Sequence, residues 1–143
     1  MALVYLGLGS NIGDRQKNIE QAISFLKSRV VVEKVSTLIE TDPIGGPPQG
    51  RYLNAVLKVM ATVSPKKLLK VTQEIEQRMG RLRTSVKNAP RIIDIDILLY
   101  DDLKLNDTEL TIPHPRMLTR PFVMGPLNEL APDLVAALHE ECV

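Results

Sequence analysis

The segment 92–100, IIDIDILLY, constrains the fold more than any other part of the chain. Its apolar and acidic residues alternate, and successive side chains of a β-strand point to opposite faces of a sheet. We therefore predict a strand whose odd-numbered apolar residues from Ile93 to Leu99 face a core, while Asp94 and Asp96 share the opposite face. The sheet that contains it must be packed on one side and leave both carboxylates accessible on the other.

Three further strands and two helices can be placed around this one. Residues 4–8, 30–41 and 52–63 are apolar or rich in β-branched residues and are predicted strands. One helix follows Asp14, which can cap it, and a second begins at Ser64 with a proline in its first turn. The order βαββαβ with right-handed crossovers predicts an α+β, ferredoxin-like antiparallel sheet with both helices on one face. A short hairpin and a helical extension follow at the C-terminal end.

Length and composition limit the classes of protein that fit. A chain of 143 residues, 44% apolar and 24% charged, suits a single globular domain over 1–143. The net charge of +1 argues against general electrostatic binding to nucleic acid or an anionic membrane. Cys142 is the only cysteine, and the first residues break at glycines in the manner of a strand and turn rather than a signal peptide. We expect a cytoplasmic, monomeric protein without a membrane span.

The acid pair is the first candidate functional element. Carboxylates at positions i and i+2 of a strand point the same way, with Cα atoms roughly 6.6 to 6.8 Å apart. This spacing suits two magnesium ions about 3.5 to 4 Å apart that share phosphate oxygens. Oxygen ligands without cysteine or clustered histidine favour magnesium over zinc. Taken alone, however, Asp94 and Asp96 fit a solvent-facing strand equally well.

Basic residues precede the acid pair directly. The segment 78–91 has four arginines and one lysine and no acidic residue. Guanidinium groups match phosphate oxygens and stay charged, so Arg81, Arg83 and Arg91 beside a metal site suit recognition of a polyphosphate. A solvated basic loop is the alternative interpretation, and the proximity of Arg91 to Asp94 favours the phosphate site.

Other candidate residues carry weaker signals. Tyr52 and Asn54 lie on the predicted open face, where a ring and an amide could bind a flat heterocycle. Phe122 is a second aromatic candidate in the segment TRPFVM, and His114 lies between two prolines that stiffen its loop. Gln73 and Glu76 share a helix face and could bind a ligand, although such pairs are commonly surface residues.

These motifs, taken together and in order, resemble a known family. The segments YLGLGSNIGDR, TDPIG, YLNAV, GRLR, PRIIDIDILLY, IPHPRM and RPFVMGPL follow the order seen in the 6-hydroxymethyl-7,8-dihydropterin pyrophosphokinases of folate biosynthesis, over about 4–132. The chain differs from many members in having Asn88 and Ala89 where they have Trp-Gly.

The resemblance implies transfer of pyrophosphate from ATP to the pterin hydroxymethyl oxygen, release of AMP, and the use of two magnesium ions bound by the aspartates. It implies that the catalytic residues are Arg81, Arg83, Arg91, Asp94 and Asp96. It implies that the pterin is bound by Thr41, Ile44, Tyr52, Asn54 and Phe122. It implies that ATP is bound by Gln73, Glu76, Ile97, Thr111, His114 and Arg120.

Two other classes of function remain as alternatives. The first is a non-catalytic ferredoxin-like binding module, such as an RNA-binding or regulatory domain. An RNA-binding sheet would need two or more aromatics on its open face and a broader basic surface. A different ATP-dependent phosphotransferase is the second alternative, although the chain has no GxxxxGK[ST] loop.

Overall fold

The computed structural model describes residues 1–43, 48–80 and 91–141. The strands are β1 (Ala2–Ser10), β2 (Val31–Val35), β3 (Ile39–Thr41), β4 (Tyr52–Ala61), β5 (Asp94–Tyr100), β6 (Leu105–Asn106) and β7 (Thr111–Ile112). The helices are α1 (Arg15–Lys27), α2 (Pro65–Arg78), α3 (Pro121–Leu130) and α4 (Pro132–Glu141), with a 3-10 turn at Met117–Thr119 before α3. The predicted residues Ile44, Arg81, Arg83, Asn88 and Ala89 lie outside the described residues.

The main sheet is antiparallel, with strands in the order β2–β4–β1–β5 and with β3 also paired to β4. This is the strand order of a ferredoxin-like sheet, and it confirms the predicted fold class. The hairpin β6–β7 forms a separate two-stranded sheet. An ion pair between Lys66 Nζ and Asp107 Oδ2, 2.8 Å apart, fixes that hairpin to the start of α2.

The prediction of one continuous strand over 30–41 is wrong, because the chain leaves the ladder between β2 and β3. Ser36 Oγ accepts a hydrogen bond from the Val56 amide at 2.8 Å, so a side chain takes the place of a main-chain carbonyl. The Thr37 amide donates to the Glu129 carboxylate of α3 at 3.1 Å. Since side-chain partners satisfy the backbone here, the strand can be interrupted without burying an unpaired polar group.

Both predicted helix starts are confirmed. The Asp14 side chain accepts from the Lys17 amide, and the Ser64 side chain accepts from the Lys67 amide, so each helix has a side-chain cap. Gly80, at φ 88°, follows α2 in the left-handed conformation that glycine adopts without strain. Helices α1 and α2 pack on one face of the sheet over an aliphatic core that includes Leu6, Leu26, Leu57, Leu68 and Ile95.

The other face of the sheet is not fully open, because the C-terminal helices cover part of it. A second buried cluster forms there from Tyr5, Val56, Leu98, Leu99, Met117, Val123, Leu127, Val135 and Leu138. The prediction that Leu99 faces the same side as Ile97 is therefore wrong. A β-bulge is the physical reason: Leu6 pairs with Ile97 but Tyr5 pairs with Leu99, so Leu98 is an extra residue that shifts the alternation.

Candidate active site

Three adjacent strands bring the predicted site residues together on the second face. The register places Gly9 between Asn54 on β4 and Asp94 on β5. One step along, Gly7 lies between Val56 and Asp96. Neighbouring strands are about 4.7 to 4.9 Å apart, so Asn54 and Asp94 are separated by roughly 10 Å. The two glycines form a floor without side chains. On one side of this floor lies the acidic edge of the site, formed by Asp94 and Asp96, and on the other lies the amide-bearing edge, formed by Tyr52 and Asn54.

A cavity of about 260 Å³ opens over this floor, beside the N-terminal end of α3. It is lined by nine residues that the sequence predicts for the site: Thr41, Tyr52, Asn54, Arg91, Asp94, Asp96, His114, Arg120 and Phe122. Residues separated by up to 81 positions in the sequence thus meet in one cavity.

The acid pair forms one wall of the cavity. Arg91 Nη1 lies 3.1 Å from Asp94 Oδ1 in a half-buried ion pair. The pKa of Asp96 is raised to about 7, chiefly by burial and then by the neighbouring charges of Asp94 and Glu76, against the opposing effects of Arg120 and Arg91. A nearby cation would stabilise the ionised form of this carboxylate, and a bound magnesium ion is such a cation.

The donor set fits magnesium as far as the described chain goes. Two carboxylates on one strand face supply the oxygen ligands that this ion prefers. Among residues 1–43, 48–80 and 91–141, no group of three or more His, Cys, Asp or Glu side chains is placed to hold a metal ion. Magnesium bound by Asp94 and Asp96 could take water and phosphate oxygens as its other ligands, as it does in nucleotide-binding enzymes.

The opposite wall presents a ring and an amide. Asn54 is buried, and its Nδ2 donates to Thr41 Oγ1 at 2.7 Å and more weakly to the Ile39 carbonyl at 3.5 Å. Because these bonds occupy its donors, Asn54 keeps its Oδ1 as an acceptor on the side of Gly9. Tyr52 pairs with Thr41 across the β3–β4 ladder and places its ring beside the same glycine.

A third wall comes from the segment 113–123. The guanidinium carbon of Arg120 lies 5.5 Å from the centre of the Phe122 ring. His114 is held in place because its amide donates to the Leu98 carbonyl at 2.9 Å. Burial lowers the pKa of His114, and the adjacent Arg120 lowers it further. Its Nδ1 accepts from the Arg116 amide at 3.3 Å, so the neutral ring carries its proton on Nε2.

Four residues predicted to bind ATP lie outside this cavity in the described chain. Gln73 is exposed on α2, and Thr111 is half-buried on β7. Glu76 is buried, and its Oε2 accepts a hydrogen bond from the Ile95 amide at 2.9 Å. Ile95 is the residue between the two aspartates in the sequence. The Ile97 side chain is buried in the core against the helices, because it must point away from Asp96 on the same strand. Their roles towards ATP stay predictions.

Sequence reasoning missed Asn11, which joins Arg91 to the segment just before β4. Its Oδ1 accepts from the Arg91 amide at 2.8 Å, and its own amide donates to the Arg91 carbonyl at 3.1 Å. Its Nδ2 donates to Gln49 Oε1 at 2.6 Å and to the Gly50 carbonyl at 3.1 Å. The only sequence signal was its place directly after the first strand, where an Asn normally indicates a turn.

Within the described residues, no helix combines the length and the apolar character that crossing a membrane requires.

Known proteins share both the sequence and the fold. The family described as 7,8-dihydro-6-hydroxymethylpterin-pyrophosphokinase (HPPK) matches residues 5–132. The 2-amino-4-hydroxy-6-hydroxymethyldihydropteridine pyrophosphokinase of Bacillus subtilis is 42% identical over 130 residues, covering 90% of this chain and 77% of the relative. The protein of the same name from Aquifex aeolicus is 41% identical over 141 residues, covering 99% of this chain and 88% of the relative.

Solved structures agree on the fold. The crystal structure of wild-type Plasmodium falciparum HPPK-DHPS matches with a TM-score of 0.70 at 17% identity, over 92% of this chain and 38% of that longer chain. At this identity the likeness concerns the fold alone. The family match over 5–132 and the two bacterial relatives carry the assignment: the chain belongs to the 7,8-dihydro-6-hydroxymethylpterin-pyrophosphokinase family.

Proposed function

We propose that the protein transfers the pyrophosphoryl group of ATP to the hydroxymethyl oxygen of 6-hydroxymethyl-7,8-dihydropterin in folate biosynthesis. The hydroxymethyl oxygen forms a bond to the β-phosphorus, the bond between the β-phosphorus and its bridging oxygen to the α-phosphate breaks, and AMP leaves. The observation that carries the proposal is the single cavity in which Asp94 and Asp96 face Tyr52 and Asn54 across the two glycines of β1. One edge suits a metal-bound polyphosphate, and the other suits a flat heterocycle.

The pterin side of the proposal rests on Tyr52, Asn54, Thr41 and Phe122. The free Asn54 Oδ1 can accept from an N–H of the heterocycle, and its Nδ2 is already committed to Thr41. The rings of Tyr52 and Phe122 both line the cavity and can stack on the two faces of a planar ligand. Ile44 is proposed as a further pterin contact on the family resemblance.

The phosphate side rests on charge and placement more than on a strong base. Phosphoryl transfer requires neutralisation of the phosphate charge and in-line alignment, and an alcohol can lose its proton late. Arg91 and Arg120 supply fixed positive charge, and neutral His114 can donate from Nε2 to a phosphate oxygen. Two magnesium ions at Asp94 and Asp96 would bind the phosphate oxygens and neutralise their charge. Arg81 and Arg83 are proposed for the same role on the resemblance.

We also propose that 1–143 forms one domain, since the cavity is lined by residues from Gly7 to Val123, and that the protein acts as a monomer. Family membership decides against a non-catalytic RNA-binding module and against an unrelated phosphotransferase.

The decisive experiment is an assay of AMP release from ATP with magnesium and the hydroxymethyl pterin. We expect AMP and the pterin diphosphate in equal amounts, and no AMP when the pterin lacks its hydroxymethyl group. Omission of magnesium is the second control. ATP turnover with ADP as product, or turnover that does not depend on the pterin, would contradict the proposal.

A further inference from the structure

The space above Gly9 is the tightest point on the floor of the cavity. A Cβ at this position would lie 3.2 Å from Asn54 Oδ1 and 3.4 Å from Tyr52 Cδ1. The contact with Asn54 Oδ1 is shorter than an ordinary van der Waals contact, so either the new carbon or Asn54 must shift, whereas the Tyr52 carbon lies at the near limit of ordinary contact. Gly9 therefore stands against both residues that form the amide-bearing edge.

The nearer neighbour, Asn54, cannot move away freely. Asn54 is buried, and its Nδ2 is held from the far side by Thr41 Oγ1 at 2.7 Å. Tyr52 lies at the start of β4, and its backbone is paired with Thr41 in the β3–β4 ladder. Displacing Asn54 would stretch or break a hydrogen bond of a buried side chain, which carries a cost.

Gly7 has the same strand, the same face and a comparable position opposite Asp96, but different surroundings. A Cβ at Gly7 would meet Leu98 side-chain carbons at 3.5 Å, which is ordinary contact distance. The backbone at Gly7 and Gly9 is extended β-strand, so neither glycine is needed for its conformation. The two positions differ in what a methyl group would touch.

We propose that Gly9 is a positioning residue that determines pterin recognition by leaving Asn54 Oδ1 and the Tyr52 ring undisplaced at the floor of the cavity. The inference rests on the proposed function of this site and adds a residue that does not itself donate, accept or stack. Gly7, two residues before it, has no such role.

The test compares Gly9→Ala with Gly7→Ala. Calorimetric titration measures binding of the hydroxymethyl pterin to each folded variant in the presence of magnesium and a non-hydrolysable ATP analogue, and then binding of the analogue alone. We expect Gly9→Ala to weaken pterin binding by about tenfold and to change binding of the ATP analogue by less than about threefold. In steady-state kinetics, this variant should raise KM for the pterin more than it lowers kcat. Gly7→Ala, whose methyl group would meet only Leu98 at ordinary contact distance, should weaken pterin binding by clearly less than Gly9→Ala. Equal losses in the two variants would overturn the inference, whereas a wild type that binds no pterin would overturn the proposed function instead.

A second measurement does not depend on the ligand. If the added methyl group acts through Asn54, removing that side chain should make room for it. Thermal unfolding should then show that Gly9→Ala lowers Tm in the wild-type background by clearly more than in the Asn54→Ala background. Additive changes in Tm would contradict the inference, even if Gly9→Ala alone folds too poorly for titration.

Discussion

The carboxylate of Asp94 is paired with Arg91, and it lies on the same strand face as Asp96, whose pKa it helps to raise to about 7. The two acids are therefore not equivalent. Asp94 already has a cationic partner in the protein, whereas burial and its acidic neighbours make ionisation of Asp96 costly. We infer that a bound cation stabilises chiefly the charge on Asp96.

Asp96→Asn should abolish turnover and leave the fold intact. The amide has nearly the same shape but no charge, so it removes a metal ligand and also removes the unfavourable buried charge. We expect activity to fall by at least about a thousandfold, while Tm of the metal-free protein at about pH 8 stays equal or rises. Activity assays and thermal unfolding of the same preparation check both. Substantial activity in this variant would contradict the metal-site proposal.

The contribution of Asp96 to the stability of the metal-free protein should fall as pH rises between the ordinary Asp value of 3.8 and about 7. An acid whose pKa is raised in the folded state keeps its proton more tightly there than in the unfolded state, so protonation favours folding. The unfavourable contribution of ionised Asp96 to folding stability is absent below pH 3.8 and complete above about pH 7. The Tm difference between wild type and Asp96→Asn, followed across this range, isolates Asp96 from other groups. A difference that does not change with pH would refute the assignment.

Magnesium binding near neutral pH should release protons. With a pKa of about 7, Asp96 is about half protonated at pH 7, and a metal ligand must lose its proton. Titration calorimetry with magnesium in two buffers of different ionisation enthalpy should show release of about half a proton per protein at pH 7 and almost none at about pH 9. Asp96→Asn should show no release at either pH.

Replacing Asn11 should impair the site although Asn11 does not line the cavity. Asn11→Ala removes side-chain hydrogen bonds to Gln49, to the Gly50 carbonyl and to the Arg91 amide, and we expect kcat/KM to fall by about tenfold or more. Asn11→Asp keeps an acceptor for Arg91 but loses the two donated bonds, so it should raise KM for the pterin more than it lowers kcat.

Asn18→Ala is the matched control for Asn11. Asn18 Nδ2 donates to Ser10 Oγ at 3.2 Å and to the Ile12 carbonyl at 2.8 Å, in the same turn but away from the cavity. Its replacement should lower Tm without changing either kinetic constant. A similar loss of kcat/KM in both variants would mean that the turn matters only for stability.

The two phenylalanines of the chain offer another paired test. Phe122→Ala removes one wall of the cavity and should raise KM for the pterin by about tenfold. Phe25 lies on α1 on the opposite side of the sheet, with the Arg78 guanidinium 5.3 Å from its ring centre. Phe25→Ala should lower Tm and leave KM unchanged. If Phe122→Ala had a normal KM, its proposed stacking role would be wrong.

Local sequence patterns predicted much of this fold, because the physical causes of its helix starts and of its acidic strand are local. Asp14 and Ser64 cap the helices that follow them, and alternation alone placed Asp94 and Asp96 on one face. The break after β2 could not be predicted in this way, since it depends on Glu129 reaching Thr37 across 92 residues. The role of Asn11 likewise depends on Arg91, which is 80 positions away.

The C-terminal helices explain why the second face of the sheet is less open than the sequence predicts. A sheet with helices on one face predicts an open second face, but a buried cluster with Leu98 and Leu99 covers part of it. The sequence LLY at the end of the acidic strand breaks the strict alternation, and this was the available signal. Alternation alone predicts a continuous strand here, because a bulge is set by pairing with Tyr5 and Leu6 on the neighbouring strand.

The bulge at Leu98 has a consequence for how this strand tolerates change. It divides β5 into two segments whose inward and outward positions are out of phase: the first orients the carboxylates, and the second supports α3 and α4. Loss of one residue between Asp96 and the bulge would be absorbed by the bulge, whereas loss of one residue inside the pair would rotate one aspartate into the aliphatic core. Packing beneath the C-terminal helices can therefore be altered in sequence without changing the phase of the acidic site.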